Sequence, residues 1–524
     1  MLEALLLGTI PGLPLSAALI VGIATLYGWA RDELQEPAIA KITIAAQGMA
    51  FGGSLLIAIA YLGGWIGGKL TLANWLASGD YRVDIGFLID GLSAVMMLLV
   101  SAICLMVSKF SIHYLHREPG FFRFFFILNL FTAAMLLLVM AGNAVMCFVG
   151  WELAGLCSYL LIAYFYDRPI PARNATRVFI TNRIGDAAFV LGIALAILWF
   201  GSADWAALMR PEAGPKTGVL AFCFVIAACA KSAQFPFTPW LARAMEGPTP
   251  SSALFYGAVM VHAGVYLVLR LQPVIEQSSP AMSLLILVGS ATALYSYIGG
   301  LVQTDIKSAL IFSTSAQVGL MFLLCGLGFW SLALVHLAAH AIVRGYQFLT
   351  APSILKQLED VQVRRVAPFL ANTPMVYTAA LQRFWVDELA DYFVSRPVQH
   401  IAAELDRIDT DVVDHLAGLP APTAKALSSL AHWEERKLGA SLDGFARDAE
   451  GARLPNFISQ VTRNVAEALH RFEQGVILQL AGLLQIGRHL ARVFLRAEVF
   501  LAEPRKVGAV LLVLFVLIAS GAPL

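Results

Sequence analysis

The sequence predicts an all-α polytopic membrane protein of about twelve transmembrane helices, one of them broken near Lys231, followed by a long C-terminal amphipathic lateral helix and a final anchoring span. Three observations predict it. Of 524 residues, 59% are hydrophobic and 14% are charged, against about 25% charged residues in a soluble domain, so lipid rather than water suits the surface. Stretches of about 20 apolar residues, long enough to cross a hydrocarbon core, recur along the chain. Prolines and ionisable residues interrupt several of them, and such residues inside a span mark cavities and ion routes. The net charge of +1 and the scatter of basic residues give no footprint for a nucleic-acid partner.

In chain order, spans are expected at 4–29, 42–66, 86–110, 123–141, 143–166, 176–200, 217–240, 251–271, 281–301, 306–327 and 329–350, with a last one at 506–522. The first lacks a basic leader and a clear cleavage site, so it reads as a retained helix. Cys104, Cys147, Cys157, Cys223, Cys229 and Cys325 all fall in apolar runs without CxxC spacing and read as small buried hydrophobes. Connections after spans one, three and five carry Arg31, Lys41, Lys109, Arg117, Arg123, Arg168 and Arg173, whereas the opposite side carries Lys69, Arg82, Arg210 and Lys216. That asymmetry puts the basic loops in the cytoplasm and the N-terminus outside, in a cell inner membrane.

Beyond residue 356 the charge density rises. The chain divides into N-terminal transmembrane helices (1–120), a core (121–356), a cytoplasmic-side amphipathic linker (357–455), and the lateral helix with its terminal anchor (456–524). Breaks are expected at 418–422 and 451–455. Over 456–503, Phe457, Val461, Val465, Leu469, Phe472, Val476, Leu480, Leu483, Leu490 and Phe494 recur at helical spacing between polar residues. At about 1.5 Å per residue that helix would reach roughly 70 Å, more than a membrane is thick, so it lies along a surface. With eleven spans before it, the surface is the cytoplasmic one.

The charged residues inside spans carry the chemistry. Glu152 stands mid-span beside Trp151, and the alternative to a proton route is a structural ion pair between helices. Lys231 precedes Pro236 and Pro239; a proline breaks the helical ladder, and a break at membrane depth is tolerated where it lines a cavity. Lysine readily changes protonation when buried, so lysine beside a break is more specific than either feature alone. His262 follows in the next span, then Lys307 with Asp305, which could equally form an interfacial pair. His336 and His340 stand at i, i+4 on one helical face with Arg344 a turn further on. Histidine carries protons near neutral pH. A zinc pair is the rival reading, but no third ligand or HExxH glutamate accompanies it, and satisfied structural histidines are the plain one. There is no nucleophile elbow, P-loop or dinucleotide fingerprint, so neither metal nor cofactor is expected, nor redox or hydrolytic chemistry by this chain.

Several motifs in order carry a family resemblance. Gly150 to Ile162, Lys231 to Pro250, Asn182-Arg-Ile-Gly-Asp186, Gln303 to Lys307 and His336-Leu-Ala-Ala-His340 resemble the antiporter-like subunit L of bacterial NADH-quinone oxidoreductase. Phe384-Trp-Val-Asp-Glu-Leu389, with Asp409 to Asp414, looks like that subunit's stretch before its lateral helix. The resemblance implies two inverted repeats, each with a broken helix, joined by a hydrophilic axis. It makes Glu152 and Lys231 a coupled pair, Lys307, His336 and His340 the connecting relay with His262, and Asp186 a modulator. It implies no bound cofactor.

Three departures stand out. Arg344 occupies a position where the family usually has lysine, and a guanidinium does not release its proton, so it reads as an electrostatic gate or anchor. Tyr256 replaces an expected histidine. Between Leu355 and Phe384 no second broken helix or central lysine is found. The resemblance allows three destinations. One is a proton-translocating subunit of a complex I-like assembly, strapped by its lateral helix to other membrane subunits beside quinone or iron–sulfur partners. A second is the membrane subunit of a DAB-type inorganic-carbon uptake complex with a zinc-containing, carbonic-anhydrase-like partner. The third is a sodium/proton antiporter component.

Overall fold

The computed structural model describes residues 2–78, 81–209, 214–351 and 367–408. Ten helices among them are long and apolar enough to cross a membrane. They are α1 (Leu2–Leu26), α2 (Glu36–Leu62), α3 (Gly91–Tyr114), α4 (Phe121–Met140), α5 (Ala144–Ile162), α6 (Pro169–Phe200), α9 (Thr249–Arg270), α10 (Ser279–Gly300), α11 (Ile306–Gly326) and α12 (Trp330–Thr350). Between α6 and α9, α7 (Pro215–Lys231) and α8 (Pro239–Arg243) make a further, broken traverse. The chain is a multi-pass membrane protein. The expected span at 506–522, the lateral helix at 456–503, and the breaks at 418–422 and 451–455 lie outside the described residues.

The span expected at 86–110 is corrected by the fold. It starts at Gly91, because residues before it form an antiparallel hairpin, β1 (Gly68–Ser78) with β2 (Tyr81–Ile89). The apolar run Ile85–Ile89 reads equally as strand or helix, and the cap decides. Asp90 accepts from the Ser93 amide at 2.9 Å while Ser93 Oγ takes the Asp90 N–H, so α3 begins there. Lys69 of β1 reaches Asp204 at 2.7 Å, and Asn143 donates to the Asp84 carbonyl, which clasps the hairpin to the α4–α5 turn and the loop after α6. The same face carries residues 271–278. The opposite face carries the basic turns at 27–32, 115–120 and 166–168 and is the basic side of the molecule.

The spans pack through small residues, as lipid-embedded helices do when no water drives them together. A Cβ at Gly289 of α10 would lie 2.6 Å from the Gly319 carbonyl of α11, and one at Gly150 of α5 would lie 2.7 Å from the Ala134 carbonyl of α4. α3, α4 and α9 are enclosed, while α1, α6 and α10 present apolar residues outward. All six cysteines are buried and free. Past residue 366 come α13 (Pro374–Leu381) and α14 (Val386–Ala390), which belong to the same compact unit as the spans. A second unit begins at Arg396, of which α15 (Arg396–Ile408) is described; Val398, Ile401, Leu405 and Ile408 line one of its faces.

Candidate proton-relay site

The break after Lys231 organises the site. α7 stops at Lys231, and Ala233 takes a left-handed backbone (φ +52°) before Pro236 and Pro239 restart the chain as α8. A neighbouring span and the restarted helix itself satisfy backbone groups this frees. The Phe235 N–H donates to Thr292 Oγ1 at 2.8 Å, and Trp240 Nε1 donates to the Ala230 carbonyl at 2.8 Å. A second irregularity, unforeseen from the sequence, faces the first. α9 winds as a π-helix over Ala253–Ala258, and Ser232 Oγ donates to its Val261 carbonyl at 2.6 Å. No proline or glycine pair marks that bulge; interruptions of this kind collect at functional sites.

Lys231 is buried at the C-terminal end of α7, where the helix dipole favours a cation. Its Nζ donates to the Trp151 carbonyl at 2.9 Å and lies 5.0 Å from that indole's centroid. The indole Nε1 donates to Asp186 Oδ1 at 2.7 Å. Asp186 in turn holds Arg183 at 2.8 Å, and the other arm of Arg183 pairs with Glu152. Glu152 therefore reaches the lysine's neighbourhood through Arg183 and Asp186 rather than by direct pairing. Gly155 makes room, since a Cβ there would lie 3.2 Å from Lys231 Nζ. Glu152 Oε1 and Asn182 Oδ1 are buried without a hydrogen bond, as groups that bind water often are. Arg183 lies inside the Asn182–Asp186 motif, yet sequence reasoning does not single it out. The signal that could have found it is an arginine three residues before an aspartate, both on one helical face inside an apolar span.

The next group is a histidine pair. His262 Nε2 and His340 Nδ1 are 2.9 Å apart in the protein interior, on α9 and α12. Arg344 Nε lies 3.5 Å from His340 Nε2, while its terminal nitrogens donate to Ser313 and Gln347. An arginine can only donate. His340 Nε2 therefore accepts, its proton sits on Nδ1, and that N–H points at His262. In this arrangement Arg344 faces the acceptor nitrogen of the resting His340. His336 stacks edge-on to His340 at 6.3 Å and meets Gln317 Oε1 at 2.8 Å.

Lys307 stands apart, near the basic side, donating to Thr249 Oγ1 at 2.6 Å; Tyr114 shares that hydroxyl at 2.9 Å. Asp305 does not pair with it. It caps α11 by accepting from the Ser308 amide at 2.8 Å. Tyr256, in the π-helical stretch, donates to the Leu241 carbonyl at 2.8 Å. Among the described residues no His, Cys, Asp and Glu cluster could hold a metal ion.

Residues 141–384, which hold Glu152, Arg183, Asp186, Lys231, His262, Lys307, His336, His340 and Arg344, match the family model described as NADH:quinone oxidoreductase/Mrp antiporter, TM. Residues 75–125 match the N-terminal model of NADH-ubiquinone oxidoreductase (complex I) chain 5. The chain belongs to the antiporter-type family of NADH-quinone oxidoreductase subunit L.

The antiporter-like chain is 35% identical over 429 residues to the chloroplastic NAD(P)H-quinone oxidoreductase subunit 5 of Nephroselmis olivacea, covering 76% of this chain and 66% of the relative. It is 39% identical over 310 residues to NADH-quinone oxidoreductase subunit L of Mycobacterium tuberculosis, covering 58% and 49% respectively. This antiporter-like chain thus spans about half to two thirds of the length of such curated relatives. In the Mrp complex from Dietzia sp. DQ12-45-1b a chain superposes with TM-score 0.57 at 29% identity, over 65% of this chain and 37% of that one. An archaeal membrane-bound sulfane sulfur reductase shares the fold at TM-score 0.59 and 18% identity, over 74% and 82% of the two chains.

Proposed function

We propose that this chain conducts protons across the membrane as an antiporter-like subunit of a complex I-like assembly, with Glu152, Asp186, Lys231, His262, His336 and His340 as its relay and Lys307 at the basic-side approach. The observation that carries the reading is the buried 2.9 Å bond between His262 and His340, one step along the chain from the Val261 carbonyl that holds the Lys231 break. Two imidazoles sharing a proton can exchange it by swapping donor and acceptor roles. A dry structural ion pair would need no such device. Arg183 competes with Lys231 for Glu152 and Asp186, so its movement toward either carboxylate alters how well the lysine's charge is balanced. Arg344 sets the resting tautomer of His340, and the swap requires its Nε, 3.5 Å away, to withdraw from His340 Nε2.

Other membrane subunits are the partners this reading requires. Arg183 and Glu152 are only part-buried within the chain although they stand within apolar spans, and a charge pair facing lipid is costly. A neighbouring subunit would cover them. The cytoplasmic inner-membrane face is assigned to the basic side by its excess of Lys and Arg.

The test is reconstitution of the whole complex in proteoliposomes. Lys231→Ala is expected to abolish coupled proton movement while the assembly stays intact on native gels, and full activity in that variant would remove the lysine from the pathway. Co-purifying chains decide the setting: iron–sulfur or quinone-binding subunits fit the redox assembly, and a large zinc hydratase fits inorganic-carbon uptake. Flux that follows Na⁺ instead of pH would replace the proton.

A further inference from the structure

α14 and the turn before it pack against the second half of the broken traverse, and between them lies a cavity of about 10 Å³. Its walls include Thr238 at the restart of the helix, Tyr295 and Ser296 of α10, Ser315 of α11, and Arg383 and Asp387 of the docked segment. That volume is about what one water requires, and a water settles where two or more polar groups lack partners. Two such groups meet here. Thr238 Oγ1 is buried without a hydrogen bond, and Asp387 Oδ1 is buried and unbonded as well. The other carboxylate oxygen of Asp387 takes Arg383 at 3.2 Å, and the nearest cation to Oδ1, Arg243, is 3.8 Å away, beyond hydrogen-bond reach. Ser296 and Ser315 satisfy each other at 2.8 Å and make no demand on the space.

We infer that this cavity is a water-binding site bridging Asp387 Oδ1 to the Thr238 hydroxyl, and that Asp387 is the carboxyl group through which protons from the basic side reach the broken helix. The inference rests on the proton-conducting reading above and supplies its basic-side access. The docked segment thus places a carboxyl at the break itself. Thr238 lies on the same unwound stretch as Gln234, whose Oε1 is also buried and unbonded, and that stretch begins at Lys231. In each transfer the Asp387 carboxylate takes one proton from the basic-side solvent and gives it to the water, the water passes one of its own through the Thr238 hydroxyl, and an uncharged Lys231 amine accepts it. The lysine then releases that proton to the onward relay, so every group returns to its starting state.

The experiment compares Asp387→Asn, Thr238→Val and Thr238→Ser in the full chain within its complex, reading proton flux in proteoliposomes with Lys231→Ala alongside. Asn keeps the shape of Asp387 but exchanges no proton, and Val removes a hydroxyl that makes no direct bond in the protein. Both are expected to slow flux from the basic side at least about tenfold, with Thr238→Ser near wild type and assembly intact on native gels. Flux within twofold of wild type in either Asp387→Asn or Thr238→Val overturns the inference. If Asp387→Asn fails to assemble through loss of its arginine contacts, Thr238→Val alone decides. Lys231→Ala separates the two readings: inactive Lys231→Ala beside fully active Asp387→Asn sinks the water site only, whereas flux in Lys231→Ala sinks the conduction pathway itself.

Discussion

Arg344 shows what a single side chain settles. In a lysine the same position could join a proton chain, but a guanidinium has only N–H donors and keeps them. Its contacts with His340, Ser313 and Gln347 leave His340 one tautomer, with Nδ1–H aimed at His262. His340→Asn retains a hydrogen-bonding side chain of similar reach but cannot pass a proton along a ring. It is expected to lower proton flux by about 10²-fold or more, the scale of a lost acid–base group, while the complex still assembles. Flux at the wild-type rate would make the histidine pair structural. Lys231 and the His336–His340 spacing could be read from the sequence because ionisable residues are rare in apolar runs, whereas Asp186 entered through the family resemblance. Arg183 as Glu152's partner could not, because pairing depends on how α5 meets α6.

At the scale of elements, not every buried polar group belongs to a route. Gln47 of α2, Asn129 and Thr132 of α4, Thr43 and Ser108 form a neutral, mutually bonded cluster: Gln47 Nε2 reaches Asn129 at 3.3 Å and Thr132 at 3.2 Å, and Ser108 donates to Gln47 at 2.8 Å. Asn129 donates onward to Thr43 at 2.8 Å. Amides and hydroxyls without a titrating member join helices together rather than carry charge. Asn129→Leu is therefore expected to lower stability in detergent by roughly 1–2 kcal/mol in a denaturation series and to leave proton flux unchanged. The docked 374–395 segment is held differently, by charge. Asp391 binds Arg243 at 2.8 Å and Arg177 at 3.0 Å. Burial pushes its carboxyl up, but the hydrogen bond and charge of Arg243, with Arg177 behind, outweigh it and hold the group below the usual carboxylate value. A lowered folded-state pKa stabilises fully above the unfolded value of about 3.9, and that contribution is lost as pH falls through the lowered one. Hydrogen exchange across 374–395 should stay slow at pH 5 and quicken only below about pH 4. In Asp391→Asn that acid step should disappear; if it persists unchanged, another group latches the segment.

On the scale of the whole molecule, a multi-pass bundle, its broken traverse near Lys231 and its antiporter-like family were all legible in the sequence. Lipid makes span length and apolar composition nearly sufficient evidence, and prolines following a lysine in an apolar run are tolerated where the helix opens around a cavity. The hairpin over Gly68–Ile89 was not legible at its inner end, since a short apolar run fits strand or helix and only the Asp90–Ser93 cap separates them. The π-helical turn in α9 left no mark either, because it arises from how that span meets the break and not from its own composition. By itself the sequence determined which residues would bear charge in oil, because burial of an ionisable group is written in its apolar flanks. Only the tertiary structure decided which of them touch: Glu152 with Arg183, His262 with His340, and Asp387 with the cavity beside Thr238. Those contacts join residues far apart in the chain, and their partners are chosen by helix rotation and crossing, which no local spacing records.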